Sequence, residues 1–370
     1  MSHPKTFIES LLSETEIQIN GTRPWDLQIH DERVYARILA QGSLGFGESY
    51  MDGWWSCESL DQLLTQIFRA NLEKRIHPLR AIIPALSARL FNPQRTTKAF
   101  EIGEKHYDIG NDLYEHMLDK RMVYTCGYWK DATTLDEAQE AKLDLVCKKI
   151  GLKSGMRVLD IGCGWGSFAK FAAEKYGAQV TGVTVSKEQV ALANERCKGL
   201  SVEIRLQDYR EITGTFDRII SLGMFEHVGV KNYRTYMEVA NRVLADDGLF
   251  LLHTIGGNAS VHATDPWIDR YIFPNSMLPS AAQIATSAEG LFVMEDWHNF
   301  GPDYDQTLMA WYANFVKSWP KLKDQYSERF YRMWQFYLLS SAATFRTRKN
   351  QLWQVVFSKP GMVDKYHSLR

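Results

Sequence analysis

From residue 134 onward the hydrophobic positions change period repeatedly. Short apolar runs occur at RVLDI (157–161), AQVTGVTV (178–185), VEIRL (202–206), FDRIISL (216–222) and GLFLLHTI (248–255). Their length and β-branched content predict five strands. Between them, residues 134–150, 167–176, 187–197 and 232–244 place apolar side chains three and four apart, the spacing of a helix face. Thr134 and Glu137 have the spacing of a capping box that opens the first of these helices. FVMEDWHNF (292–300) follows, then a long helical stretch over 304–348 and a last strand, QLWQVVF (351–357). Strands that are apolar throughout, alternating with amphipathic helices, predict an α/β fold with a parallel sheet covered on both faces.

The first 70 residues read differently, as short helices. One is expected over 31–41, with Asp31 as its N-cap, and another over 60–70, striped by Leu60, Leu63, Leu64, Ile67 and Phe68. GSLGFGESYMDGWW (42–55) lies between them, and its glycines predict an irregular loop. Residues 74–100 carry Lys74, Arg75, Arg80, Arg89, Arg95 and Lys98 and no acid, interleaved with aliphatic residues. Such a stretch can lie on an anionic lipid surface; a solvated linker has the same composition. Pro78, Pro84 and Pro93 interrupt it and favour a domain boundary near Phe100. A smaller, mainly helical domain is therefore expected over 1–100, and an α/β domain over 101–370.

Composition narrows the function classes. A chain of 370 residues suits two domains, and 45% apolar with 24% charged residues is globular. A net charge of −1 creates no field to gather nucleic acid. Cys57, Cys126, Cys147, Cys163 and Cys197 are odd in number and include no CxxC pair, so neither a disulfide framework nor a zinc site is expected. No segment reaches the roughly 18 uninterrupted apolar residues of a membrane span, and the N-terminus does not read as a secretory signal. The expectation is a cytoplasmic protein that meets a membrane, if at all, at its surface.

The strongest local signal is VLDIGCGWG (158–166): a strand, an acid at its end, three alternating glycines, then a helix. Glycines let backbone approach a ligand closely, and a helix start presents free N–H groups. The spacing is GxGxG, one residue shorter than the dinucleotide fingerprint. The pattern resembles motif I of the class I S-adenosylmethionine-dependent methyltransferases. That resemblance implies that Gly162 and Gly164 lie under the amino-acid end of the cofactor. It also implies an acid after the second strand for the ribose. Here Thr184-Val185-Ser186 stands in its place, with Gln189 the nearest substitute. After the third strand, Asp208 and Tyr209 supply an acid and a ring suited to the adenine. Asp208 equally suits a turn cap.

Four further segments complete the pattern: GEKHYDIGNDLYEHMLD (103–119), YTCGYW (124–129), MFEHVG (224–229) with LLHTIGG (251–257), and HNFGPDYDQTL (298–308). With DIGCGWG they resemble the cyclopropane fatty acyl phospholipid synthases over nearly the whole chain. The N-terminal GSLGFGESYMDGWW is included, a region that the related mycolic acid cyclopropane synthases lack. The resemblance implies a Rossmann-like catalytic domain that transfers a methylene group from S-adenosylmethionine to the cis double bond of an unsaturated phospholipid acyl chain. Methyl transfer leaves a carbocation, and a base must then remove a proton so that the ring closes. In the family that base is a bound bicarbonate ion. Its ligands carry over to Glu226, His253 and Tyr304 by side chain, and to Cys126 and Ile255 by main chain. Tyr124 and Thr125 carry over as cofactor neighbours, and His106, Tyr107, Asn111 and Asp112 as a flap above it. The aromatic-rich 304–345 region carries over as part of the acyl pocket. A homodimer, a lipid-engaging N-terminal domain and transient association with the inner membrane face are also implied.

Taken singly, these residues have plainer readings. Glu226 and His227 suit a helix-start cap, His253 a satisfied core histidine and Tyr304 a packing tyrosine. A small-molecule N- or C-methyltransferase shares MFEHVG, and a lipid-binding protein with a vestigial cofactor fold is a third reading. Cys126 has no dedicated base beside it in sequence, so it is not read as a nucleophile.

Overall fold

A computed structural model of the chain describes residues 4–76, 110–362 and 365–370. His106, Tyr107, the boundary at Phe100 and nearly all of the basic stretch lie outside the described residues. The chain divides into two compact units. One comprises Met1–Phe91, His262–Pro274 and Tyr304–Asn350; the other comprises Asn92–Val261, Asn275–Asp303 and Gln351–Arg370. Two segments from beyond residue 100 thus group with the N-terminal helices, where the sequence suggested a single cut.

The second unit is built on a seven-stranded sheet. Its strands are β1 (Arg157–Ile161), β2 (Gln179–Thr184), β3 (Val202–Leu206), β4 (Phe216–Leu222), β5 (Leu244–Gly257), β6 (Val293–Asn299) and β7 (Asn350–Ser358). Their order is β3-β2-β1-β4-β5-β7-β6. β1 to β5 pair in parallel, and β6 runs antiparallel to β7. β5 starts earlier than its apolar run suggests, because Leu244 already pairs with Phe216 before the register shifts.

Side chains alternate across each strand, which explains the unbroken apolar runs. Leu159, Ile219, Phe250, Leu252, Val355 and Phe357 enter one core, against Tyr236, Met237 and Ala240 of helix Tyr233–Val243. Val158, Val180, Ile220, Leu251 and Val356 enter the other, against Leu143, Val146, Phe168 and Ala172. The latter belong to helices Leu135–Lys149 and Ser167–Tyr176. Thr134 and Glu137 form the expected capping box.

The first unit is mainly helical, with a short ribbon pairing Gln28–Ile29 and Trp55–Ser56. The loop expected over 42–55 is a correction: Ser43–Met51 is a helix. Its glycines are required by packing. A Cβ on Gly45 would fall 2.4 Å from the Arg37 carbonyl oxygen, and one on Gly47 would fall 2.5 Å from the Trp267 ring. The helix expected over 31–41 with Asp31 as N-cap spans Arg33–Gln41 with Glu32 at the N-cap; Asp31, one residue earlier, accepts from the Arg33 N–H at 2.9 Å. The long C-terminal helical stretch is two helices, Pro302–Leu322 and Glu328–Arg346, the second capped by Ser327. Arg346 joins elements far apart in sequence, meeting Asp305 at 2.8 Å and Asp61 at 2.6 Å. No described helix is long and apolar enough to cross a membrane.

Candidate active site

β1 ends in Asp160 and Ile161 and passes into a loop in which Gly162, Gly164 and Gly166 have φ of 84°, 53° and 75°. Only glycine adopts this conformation without strain. The N–H groups of Gly162 and Cys163 both donate to the Val183 carbonyl, which folds the loop onto β2. A Cβ at Gly162 would stand 2.7 Å from Met224, whereas one at Gly164 would project into open space. Helix Ser167–Tyr176 begins directly after the loop, so its first N–H groups face the same region. Asp160 is buried, and one carboxylate oxygen has no partner among the described residues. Burial pushes its carboxyl up to about 7, against the pull of Lys142.

The ends of the next two strands add polar groups on the same side of the parallel sheet. Thr184 donates to Gln189 Oε1 at 2.7 Å, and Ser186 caps the helix that carries Gln189. Asp208 uses one oxygen to cap Arg210 N–H at 2.9 Å, while its other oxygen is buried without a partner among the described residues. Tyr209 faces inward, its ring 5.2 Å from that of Tyr236. Gly162, Gly164, Thr184, Gln189 and Asp208 therefore all lie at or after the carboxyl ends of three neighbouring parallel strands.

The second cluster lies beyond β4 and within β5. Gly223 donates to the His253 carbonyl at 2.9 Å, tying the two strands together just before Glu226. Glu226 is buried and accepts from the Ile255 N–H at 2.7 Å, while its Oε2 has no hydrogen-bond partner among the described residues. Burial raises this carboxyl to about 7. The main-chain N–H of Ile255 is thus committed to Glu226. His253 is buried too, and burial together with Lys142 and Lys149 holds it neutral, well below the ordinary histidine range. The Gln354 amide nitrogen stands 3.3 Å from His253 Nδ1. That contact leaves the ring proton on Nε2, which is buried without a partner among the described residues.

The YTCGYW loop reaches the same edge. A Cβ on Gly223 would strike the Thr125 methyl at 2.7 Å, so this glycine lets the loop approach β4. Cys126 is fully buried, and its thiol donates to the Gly127 carbonyl. The Tyr124 ring lies 5.1 Å from Tyr114, which lies 4.9 Å from Trp165 of the glycine loop. Trp165 donates to Asn111 at 3.1 Å, so helix Asn111–Met117, which includes Asp112, stands over that loop. Tyr304 belongs to the other unit, where its ring packs 4.6 Å from Phe345 and 5.9 Å from Trp311. Sequence reasoning passed over Lys142, Gln139 and Gln354. The signal for the first two was present, because polar residues occupy the inward stripe of helix Leu135–Lys149. No group of metal-binding side chains occurs among the described residues.

Strand order, glycine loop and polar strand ends together define a class I S-adenosylmethionine-dependent methyltransferase fold. Comparison with known proteins takes the assignment further. Residues 94–355 match the family model of mycolic acid cyclopropane synthetase. The cyclopropane-fatty-acyl-phospholipid synthase of Escherichia coli is 55% identical over 350 residues, covering 94% of this chain and 92% of that one. A mycolic acid cyclopropane synthase solved with S-adenosylhomocysteine and CTAB superposes with a TM-score of 0.66 at 32% identity, over 70% of this chain and 98% of that one. A coclaurine N-methyltransferase bound to N-methylheliamine and S-adenosylhomocysteine reaches 0.71 at 25% identity, over 85% and 98% of the two chains. The chain belongs to the mycolic acid cyclopropane synthetase family of S-adenosylmethionine-dependent enzymes.

Proposed function

We propose that this enzyme transfers a methylene group from S-adenosylmethionine to the cis double bond of unsaturated acyl chains in phospholipids, forming a cyclopropane ring. The observation that carries the reading is a pair of buried polar atoms, Glu226 Oε2 and His253 Nε2, that have no hydrogen-bond partner among the described residues. Glu226 in its ionised form offers an acceptor, and neutral His253 offers a donor. A bicarbonate ion needs both, an acceptor for its O–H and a donor for its oxyanion.

When bound, S-adenosylmethionine supplies the methyl group and bicarbonate supplies the base that completes ring closure. The chain's own residues hold and orient. Gly162 and Gly164 admit the cofactor's amino-acid end, Thr184 and Gln189 take the ribose, and Asp208 with Tyr209 flanks the adenine. Tyr124 and Thr125 close over the cofactor from the YTCGYW loop, with Asn111 and Asp112 above. Glu226 fixes the anion's protonated oxygen and is itself fixed by Ile255. His253 donates to the opposite side, and Cys126 adds its main chain. The buried site keeps water from the carbocation that methyl transfer leaves on the alkene.

Residues 1–100 supply the lipid-engaging part in this reading, and the catalytic residues lie within 101–370. The basic stretch 74–100 meets anionic headgroups at the inner membrane face, and the enzyme works from the cytoplasm as a homodimer. The likeness to an N-methyltransferase makes methylation of a small amine the second reading. Incubation with methyl-labelled S-adenosylmethionine and unsaturated phospholipid vesicles, followed by mass spectrometry of the released acyl chains, decides between them. The proposal expects label in a ring and loss of the double bond. Label confined to an amine, with every double bond intact, would overturn it.

A further inference from the structure

Lys142 projects from helix Leu135–Lys149 into the interior and is wholly buried. An ammonium group removed from water normally meets a carboxylate. Among the described residues, Lys142 makes no ion pair within 4.0 Å, and its nearest partner is a neutral hydroxyl, Thr125 Oγ1 at 2.6 Å. One turn earlier, Gln139 donates to the Thr125 carbonyl at 2.7 Å and more distantly to the Val123 carbonyl. Two polar side chains of one helix are thus spent on a single loop residue, at one of the few places where that helix buries polar groups.

The direction of this hydrogen bond has a consequence. A lysine ammonium can only donate, so Thr125 Oγ1 must accept. Its own hydroxyl hydrogen is turned away from Lys142, and the adjacent positive charge makes that hydrogen a stronger donor. We propose that Lys142 is a positioning residue that locks the Thr125 hydroxyl as a donor to a carboxylate-type oxyanion bound at the sheet edge. This rests on the placement of Thr125 beside cofactor and bicarbonate given above. Two ligands share that chemistry: the carboxylate of the cofactor's amino-acid end, and bicarbonate. Asp160 and Asp119 lie close enough to interact with Lys142 through space, yet neither makes an ion pair with it. The ammonium is therefore poised between fixed acids and an incoming anion. Burial lowers its pKa to about 8, which still leaves it mostly charged near neutrality.

Thr125→Val, Thr125→Ser, Lys142→Met and the Thr125→Val/Lys142→Met double variant, each checked for folding by thermal unfolding, test the assignment. S-adenosylhomocysteine affinity is measured by calorimetry, and activation by bicarbonate by titrating it into depleted buffer. Thr125→Val and Lys142→Met should each weaken one of these ligands by about 10- to 100-fold, the range for a hydrogen bond to a charged group. Thr125→Ser should restore it, and the double variant should be little worse than either single change. A loss confined to S-adenosylhomocysteine identifies the cofactor carboxylate; a loss confined to bicarbonate activation identifies the ion. Unchanged values for both ligands in folded Thr125→Val would overturn the proposal. So would additive losses in the double variant. Wild-type enzyme indifferent to bicarbonate would instead count against the anion reading of Glu226 and His253, leaving the cofactor arm of this test intact.

Discussion

Replacing Glu226 by glutamine should make the protein more stable and nearly inactive. Wild-type Glu226 is buried, with one oxygen held by Ile255 N–H and the other unpartnered, and its carboxyl is raised from 4.5 to about 7. Below about pH 4.5 the group is protonated in folded and unfolded chains alike and contributes no pH-dependent penalty. As pH rises, the unfolded chain ionises first while the folded site keeps its proton, so stability declines through this window. Above the folded value the loss levels off at about 3 kcal/mol. Glutamine keeps the acceptor for Ile255 and never ionises. The variant's advantage should therefore grow from near zero at about pH 4 to about 3 kcal/mol at about pH 8. Turnover should fall about 100-fold or more, because an amide N–H2 then faces the place where an acceptor is required. Urea unfolding at the two pH values, with initial rates on unsaturated phospholipid vesicles, measures both effects. A stability difference that does not change with pH would refute the burial argument, and undiminished turnover would refute the role.

Other outcomes follow from single contacts. Gly164→Ala puts a methyl group into the open side of the glycine loop at a φ of 53°, and should weaken S-adenosylhomocysteine about tenfold or more by calorimetry while costing about 1–2 kcal/mol of stability. Gly47→Ala drives a methyl group into the Trp267 ring, and should lower unfolding free energy by about 1–3 kcal/mol without altering the chemistry of the product. Gln354→Leu removes the donor at His253 Nδ1 and lets the ring proton shift; turnover should fall about tenfold, with S-adenosylhomocysteine affinity unchanged.

The catalytic sheet was legible because its strands are buried on both faces, so each reads as an unbroken apolar run. The glycine loop was legible because three alternating glycines between strand and helix have few other uses. Ser43–Met51 was not legible as a helix. Gly45 and Gly47 are helix weakeners by propensity, and the Arg37 carbonyl and Trp267 ring that require them come from elsewhere in the chain. Trp267 is more than two hundred residues away, so no local pattern announces it. Glu226 and His253 came from motif resemblance, but their orphaned atoms became visible only once burial and hydrogen bonding were known. Lys142 shows the converse. A lysine on the inward stripe of a helix is a sequence-level anomaly, and its partner Thr125 lies in a loop that no periodicity connects to it.

The central claim is that Glu226 and His253 hold an anion that takes the proton during ring closure. Turnover on unsaturated phospholipid vesicles in carbon dioxide-free buffer, before and after bicarbonate is restored, tests it most directly. Activity should drop sharply on depletion and return in a saturable way with bicarbonate, and Glu226→Gln should show no such return. Full turnover without bicarbonate would contradict the account.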